Sequence, residues 1–138
     1  PENYIEDFAK AGAGFISVHA ETIDSDEILN DIKKLKCKAG IVFNPDTEID
    51  FDTVEKSDFV LIMSVYPGFG GQKFIDDTLN KVREIRQKFP QKDIQIDGGI
   101  NGETVKKAIE VGANWIVSGS YFWGSADLQK TAQELKNI

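Results

Sequence analysis

Histidine, methionine and cysteine each occur once in this chain of 138 residues, as His19, Met63 and Cys37, and proline only four times. One cysteine excludes an internal disulfide and fits a reducing compartment; Cys37 reads as a small buried residue entering a strand rather than as a nucleophile. One histidine cannot build a metal site by itself. No apolar run approaches the ~20 residues that cross a bilayer, and no basic, apolar leader opens the sequence. The expectation is a cytoplasmic protein without a membrane partner. Basic residues are outnumbered by acidic ones, 16 to 23, and the net charge of −7 argues against nucleic acid, whose phosphates select basic faces. An anionic small molecule is still admissible, because backbone N–H groups bind anions whatever the net charge. What the chain does have is 41% hydrophobic residues and 12 glycines, enough for one domain over residues 1–138 with a core.

The hydrophobic pattern alternates between helical and strand-like periods. Helices are expected near 2–11, over a segment opened by Asp24 or Ser25 and carrying Ile28, Leu29, Ile32 and Leu35, at 51–56, 75–88, 102–111 behind Asn101, and 126–136. Strands are expected at 15–18, 39–43, 59–64, 94–97 and 115–118. Such an order means parallel βαβ units, and the apolar character of the strands means burial on both faces. The segments Ala11-Gly12-Ala13-Gly14-Phe15-Ile16 and Val111-Gly112-Ala113-Asn114-Trp115-Ile116 echo each other as helix end, glycine turn and strand. The charges of Lys81, Arg83, Glu84 and Arg86 suggest an exposed helix face. Trp115 and Trp123 read as packing residues.

Two architectures suit this order, an open doubly wound sheet and a (β/α)8 barrel. The polar and glycine-rich segments follow the strands: His19-Ala20-Glu21, Asn44-Pro45, Tyr66 to Lys73, Asp97-Gly98-Gly99 and Gly119-Ser120. In a barrel all of these meet at one rim, whereas an open sheet spreads them apart. The expected fold is therefore α/β, a (β/α)8 TIM barrel represented by about five parallel strands with their helices, although about 200 residues is the usual minimum for a closed one.

The densest of these segments runs Met63-Ser64-Val65-Tyr66-Pro67-Gly68-Phe69-Gly70-Gly71-Gln72-Lys73-Phe74. Glycines this close let backbone N–H groups converge without side chains in the way, a cradle suited to phosphate. This segment, with Ser-Val-His-Ala-Glu (17–21), Ile-Asp-Gly-Gly-Ile (96–100) and Val-Ser-Gly-Ser (117–120), resembles ribulose-phosphate 3-epimerase in order and spacing across the whole chain. The resemblance starts at the helix after that family's third strand, so its first three strands have no counterpart here.

What the resemblance implies is a metal-dependent interconversion of D-ribulose 5-phosphate and D-xylulose 5-phosphate, a step of the pentose phosphate pathway, by removal and return of the C3 proton. Such an enzyme is an isomerase of the epimerase kind and is commonly a homo-oligomer. The family uses an aspartate on each face of C3, and both bind a divalent ion (Zn, Fe, Mn or Co) together with two histidines. Only one of those four ligands has a counterpart, Asp97, expected as acid/base and metal ligand. The resemblance assigns Gly68, Phe69, Gly70, Gly71, Gly98, Gly99, Gly119 and Ser120 to the phosphorylated ketose, and Met63 to the pocket wall near the metal. Met63 reads equally well as a core residue, and Asp97-Gly98-Gly99, taken alone, as a turn. His19, past a strand at the same rim, is a further pocket-lining candidate. Two alternatives stay open: an epimerase of hexulose 6-phosphates such as allulose 6-phosphate, and a phosphate-binding fragment without turnover if the chain begins at Pro1.

Overall fold

The computed structural model describes residues 1–137. Five parallel strands stand in the sheet in their chain order: β1 (Phe15–His19), β2 (Lys38–Phe43), β3 (Phe59–Met63), β4 (Asp93–Asp97) and β5 (Trp115–Val117). Between and around them lie α1 (Ile5–Lys10), α2 (Glu27–Lys34), α3 (Phe51–Lys56), α4 (Thr78–Lys88), α5 (Thr104–Glu110), α6 (Ser120–Trp123) and α7 (Leu128–Lys136). A one-turn 3-10 helix, Ala20–Thr22, follows β1.

Strand order and side-chain parity together decide between the two architectures. Sequential order with right-handed crossovers puts every connecting helix on the same face of the sheet. Ile16, Val18, Ala39, Ile41, Phe43, Val60, Ile62, Ile94 and Ile96 share one core cluster with Leu29, Ile32, Val82, Ile85 and Val105 of the helices. Residues of the other parity, Val42 and Met63, form a separate small cluster with Val65, flanked by Leu61. A doubly wound sheet would clothe both faces with helices; here one face is clothed and the other is the inner wall of a barrel. At the bottom of that wall Phe15, Phe59 and Trp115 form an aromatic layer, with ring centroids 5.4 to 5.9 Å apart. They come from alternate strands, as layers inside such barrels do. Gly40 makes room for the layer, since a Cβ there would lie 2.2 Å from the Phe59 ring.

Side chains bond the first N–H groups at several helix starts. The N-cap of α2 is Asp26, whose side chain makes no cap bond, rather than Asp24 or Ser25; Ser25 Oγ, one residue further out, accepts the Glu27 N–H at 3.1 Å. Asp50 accepts the N–H of Asp52 at 3.0 Å and the Thr53 hydroxyl at 2.6 Å. Asn101 Oδ1 accepts the N–H groups of Glu103 and Thr104, at 2.8 and 3.0 Å. The two echoed turns are one solution used twice: Gly12 N–H donates to Ala9 O and Ala13 N–H to Phe8 O, and Gly112 and Ala113 repeat this with Ile109 and Ala108, all at 3.0 Å.

Four expectations need correction. Helix α4 begins at Thr78 rather than 75: Thr78, Leu79 and Asn80 donate three residues back, to Ile75 O, Asp76 O and Asp77 O at 3.0 to 3.2 Å, so residues 75–77 form a tighter lead-in turn. The short helix α6 was not foreseen. Lys81 and Arg86 do not belong to an exposed face: Lys81 Nζ donates to Asn44 O at 2.8 Å, and Arg86 donates to Gly112 O through Nε and Nη2 at 3.0 and 2.8 Å. Trp115 packs as expected, but Trp123 is 73% exposed and meets Phe122 edge-to-face. Cys37 is buried, its thiol donating to Ala13 O at 3.0 Å.

Candidate functional site

Parallel pairing aligns the strand ends. Met63 stands opposite Asp97, and Asp97 opposite Val117, so the ends of β3, β4 and β5 form one line at the C-terminal rim. All three have inner-wall parity. The loops that follow them close around a groove of about 340 Å³. It is lined by Met63, Asp97, the Gly68–Gly71 stretch with Phe69, Gly98, Gly99, Gly119 and Ser120, so three glycine-bearing loops remote in sequence share one cavity. This rim is where barrel enzymes carry their sites, with phosphate frequently held by the last loops.

The loop after β3 is held by its own glutamine. Gln72 Nε2 donates to Tyr66 O at 2.6 Å and to Phe69 O at 2.8 Å, which curls residues 66–72 into a closed turn. Phe69 at its crest is 86% exposed. The next loop abuts it so closely that side chains are excluded. A Cβ on Gly98 would lie 2.5 Å from Val65 Cγ2, and one on Gly99 would lie 2.5 Å from Phe74 N. Gly99 also has φ +60, which an L side chain rarely adopts.

Asp97 is half-buried in this groove, and burial alone raises its pKa above the ordinary aspartate value. Among the described residues its carboxylate has no hydrogen-bond partner, so nothing offsets the lost hydration. Its backbone, in contrast, is firmly held by Ser64: the Ser64 N–H donates to Asp97 O at 2.7 Å.

His19 lies elsewhere. It ends β1, with β2 between it and β3, and does not line the groove. Its Nδ1 is 3.3 Å from Glu21 Oε2. Glu21 also accepts the Asn44 N–H at 2.9 Å and the Thr47 hydroxyl. Burial would raise the Glu21 pKa, but the bonds from Thr47, Asn44 and His19 outweigh it and hold the carboxyl below its ordinary value. Lys81 completes the knot by donating to Asn44 O and Thr47 O. Burial lowers the Lys81 pKa.

The donors for a divalent ion are sparse. Among the described residues no three His, Cys, Asp or Glu side chains stand together, and Asp97 is the one carboxylate lining the groove. One carboxylate with no imidazole does not make a cation site. These residues on their own do not fit the metal that the resemblance implies.

Ser64 and Gln72 stand inside the glycine segment with no task evident from the sequence, and Val65, Tyr66, Ile100 and Val117, which line the same groove, do not stand out there either. A hydroxyl and an amide inside a block of glycines were the available signal, since polar side chains there must bond to the backbone around them.

Comparison with known proteins agrees with this geometry. Residues 1–123 match the model of the ribulose-phosphate 3 epimerase family. The ribulose-phosphate 3-epimerase of Bacillus subtilis is 42% identical over 144 aligned residues, which take in 99% of this chain and 66% of that protein. The chloroplastic ribulose-5-phosphate-3-epimerase of Arabidopsis thaliana is 41% identical, with 99% and 52% covered. The chain thus spans between about half and two thirds of the length of these relatives. Among solved structures, a 3-hexulose-6-phosphate synthase superposes with a TM-score of 0.72 at 19% identity, over 99% of this chain and 67% of that one. A tryptophan synthase alpha-subunit of Pyrococcus furiosus gives 0.71 at 18%, over 99% and 60%. Identities this low speak for the fold alone, and that fold is the TIM barrel. Sequence, groove and fold lead to one conclusion: the chain belongs to the ribulose-phosphate 3-epimerase family.

Proposed function

We propose that the whole protein is a ribulose-phosphate 3-epimerase that interconverts D-ribulose 5-phosphate and D-xylulose 5-phosphate within the pentose phosphate pathway. One observation carries the proposal: a half-buried aspartate with a raised pKa shares a groove with three glycine-bearing loops. The C3 proton of such a ketose is acidic because its loss leaves an enediolate conjugated with the C2 oxygen. A carboxylate whose pKa lies closer to neutrality than usual is the better base for it. In this reading Asp97 takes or returns the proton on one face of C3, and a second group, outside these 138 residues, acts on the other face. The N–H groups of Gly98, Gly99, Gly119 and Ser120 receive the phosphate, the Gly68–Gly71 turn with Phe69 covers the sugar, and Met63 lines the wall beside C3. A divalent metal would supply Lewis-acid stabilisation of the enediolate; Asp97 would be one ligand, and the others would have to come from outside this chain. Residues 1–138 belong to a single barrel domain, and the protein works in the cytoplasm as a homo-oligomer.

The test is deuterium entry at C3. The full-length protein, incubated in D2O with ribulose 5-phosphate, is expected to exchange that hydrogen while forming xylulose 5-phosphate. No exchange by a folded, metal-supplemented full-length protein would refute the activity. A second reading applies to the 138 residues alone. Because the groove holds a single carboxylate, this polypeptide binds phosphorylated ligands without turning them over; C3 exchange at the full-length rate would refute that.

A further inference from the structure

We infer that Ser64 is a positioning residue: its backbone N–H fixes the peptide that carries the Gly98 N–H, and its buried hydroxyl aims the Gly99 N–H at the substrate's phosphate. This rests on the phosphate site proposed above and assigns a residue to hold it. Ser64 is fully buried, directly after β3. Its Oγ lies 2.9 Å from Asp97 O and 2.7 Å from Gly98 O. Its own N–H donates to Asp97 O at 2.7 Å, and its carbonyl accepts the Ile75 N–H at 2.9 Å. One residue thereby binds the loop after β4 and the approach to α4.

The consequence follows from peptide geometry. A trans peptide is planar, with its C=O and N–H pointing in opposite directions. Fixing the Asp97 carbonyl fixes the Gly98 N–H, and fixing the Gly98 carbonyl fixes the Gly99 N–H. Among the described residues neither N–H donates to any group, although both glycines line the groove. Gly98 has φ +121 and Gly99 φ +60, and glycines have the widest range of backbone alternatives once a tether is lost. An alanine at 64 keeps the fold's shape and the backbone bonds but releases the Gly98 carbonyl.

The experiment uses the full-length protein, inorganic phosphate as the probe, and NMR of the Gly98 and Gly99 amides. In the wild type both amide signals are expected to shift on phosphate titration. Ser64→Ala, and the near-isosteric but poorly donating Ser64→Cys, should weaken phosphate binding about ten-fold, the effect of one well-aimed hydrogen bond. KM for ribulose 5-phosphate should rise in step, more than kcat falls. Ser64→Thr, which keeps the hydroxyl, should stay close to wild type. If Ala and Cys variants that unfold at the wild-type temperature bind phosphate as the wild type does, the inference is overturned; so it is if Thr fails along with Ala, since the hydroxyl is then not the cause. A wild type that binds phosphate but does not epimerise refutes the proposed activity alone. One whose glycine amides ignore phosphate refutes the phosphate site and the role of Ser64 together.

Discussion

In the proposed reaction Asp97 serves chemistry at a cost to stability. Its folded pKa lies above the unfolded value because burial penalises the charge. An aspartate of this kind stabilises the fold where it is protonated: the contribution is fully present below the unfolded pKa of about 3.9 and is lost as pH rises through the folded value. Asp97→Asn should therefore raise the thermal midpoint at neutral pH, with the gain fading in acid, and should lower kcat by about 10²–10⁴-fold. A midpoint difference that did not vary with pH would count against burial as the cause. Gly99 makes the opposite case, a residue defined by what cannot be added. At φ +60 and with Phe74 N 2.5 Å from a new Cβ, Gly99→Ala should cost about 2 kcal/mol or more in urea unfolding. It should weaken phosphate binding as well, because the loops on either side must part.

Between elements, polar side chains do what apolar packing does not. The α4 residue Arg86 uses a planar fork to hold the Gly112 carbonyl and also reaches Pro90 O at 2.7 Å. It thus pins the turn that leads into β5. Arg86→Ala should destabilise by about 1.5–3 kcal/mol, as for bonds from a charged donor. Arg86→Lys should recover only part of this, because an ammonium lacks the fork; full recovery in an equilibrium unfolding experiment would show that charge alone suffices. Glu21 ties β1 to the loop after β2 in a similar way. Its folded pKa is depressed, so its stabilisation is present above the unfolded pKa and is lost as pH falls through the folded one. Replacing Glu21 by Gln should lower the midpoint at neutral pH and change little in strong acid, a difference thermal scans across pH would reveal.

For the molecule as a whole, the described residues leave one sheet face and two sheet edges uncovered. Phe15 is 55% exposed and Val117 39% exposed on the inner wall, and β1 and β5 each pair on one side only. Unpaired parallel edges beside an apolar face are templates for association. The 138-residue polypeptide by itself should therefore self-associate with rising concentration, and light scattering that stays monomeric at high concentration would contradict this. The same geometry accounts for how the chain relates to longer relatives: a wall that is helix-clad on one side and aromatic on the other is built to be continued by further strands.

Much of this was legible in the residues. The alternation of Phe59-Val60-Leu61-Ile62 with helical stretches gave parallel strands at the right places, because periodicity is a local property. The glycine block and Asp97-Gly98-Gly99 marked the rim for the same local reason: tight turns and bare backbone demand glycine wherever they occur. Other features depended on distance in space. Lys81 and Arg86 read as solvated charges because their acceptors, Asn44 O and Gly112 O, lie 37 and 26 residues away. His19 read as a pocket-lining residue because it follows a strand at the same rim, yet β2 stands between β1 and the strands whose loops form the groove. Sequence by itself determined the elements, their order and the chemistry available at the rim. Only the tertiary structure decided which rim residues share a groove, that burial raises the Asp97 pKa, and that the Ser64 hydroxyl reaches the Gly98 carbonyl, because these follow from register, parity and desolvation, which arise when the strands pair.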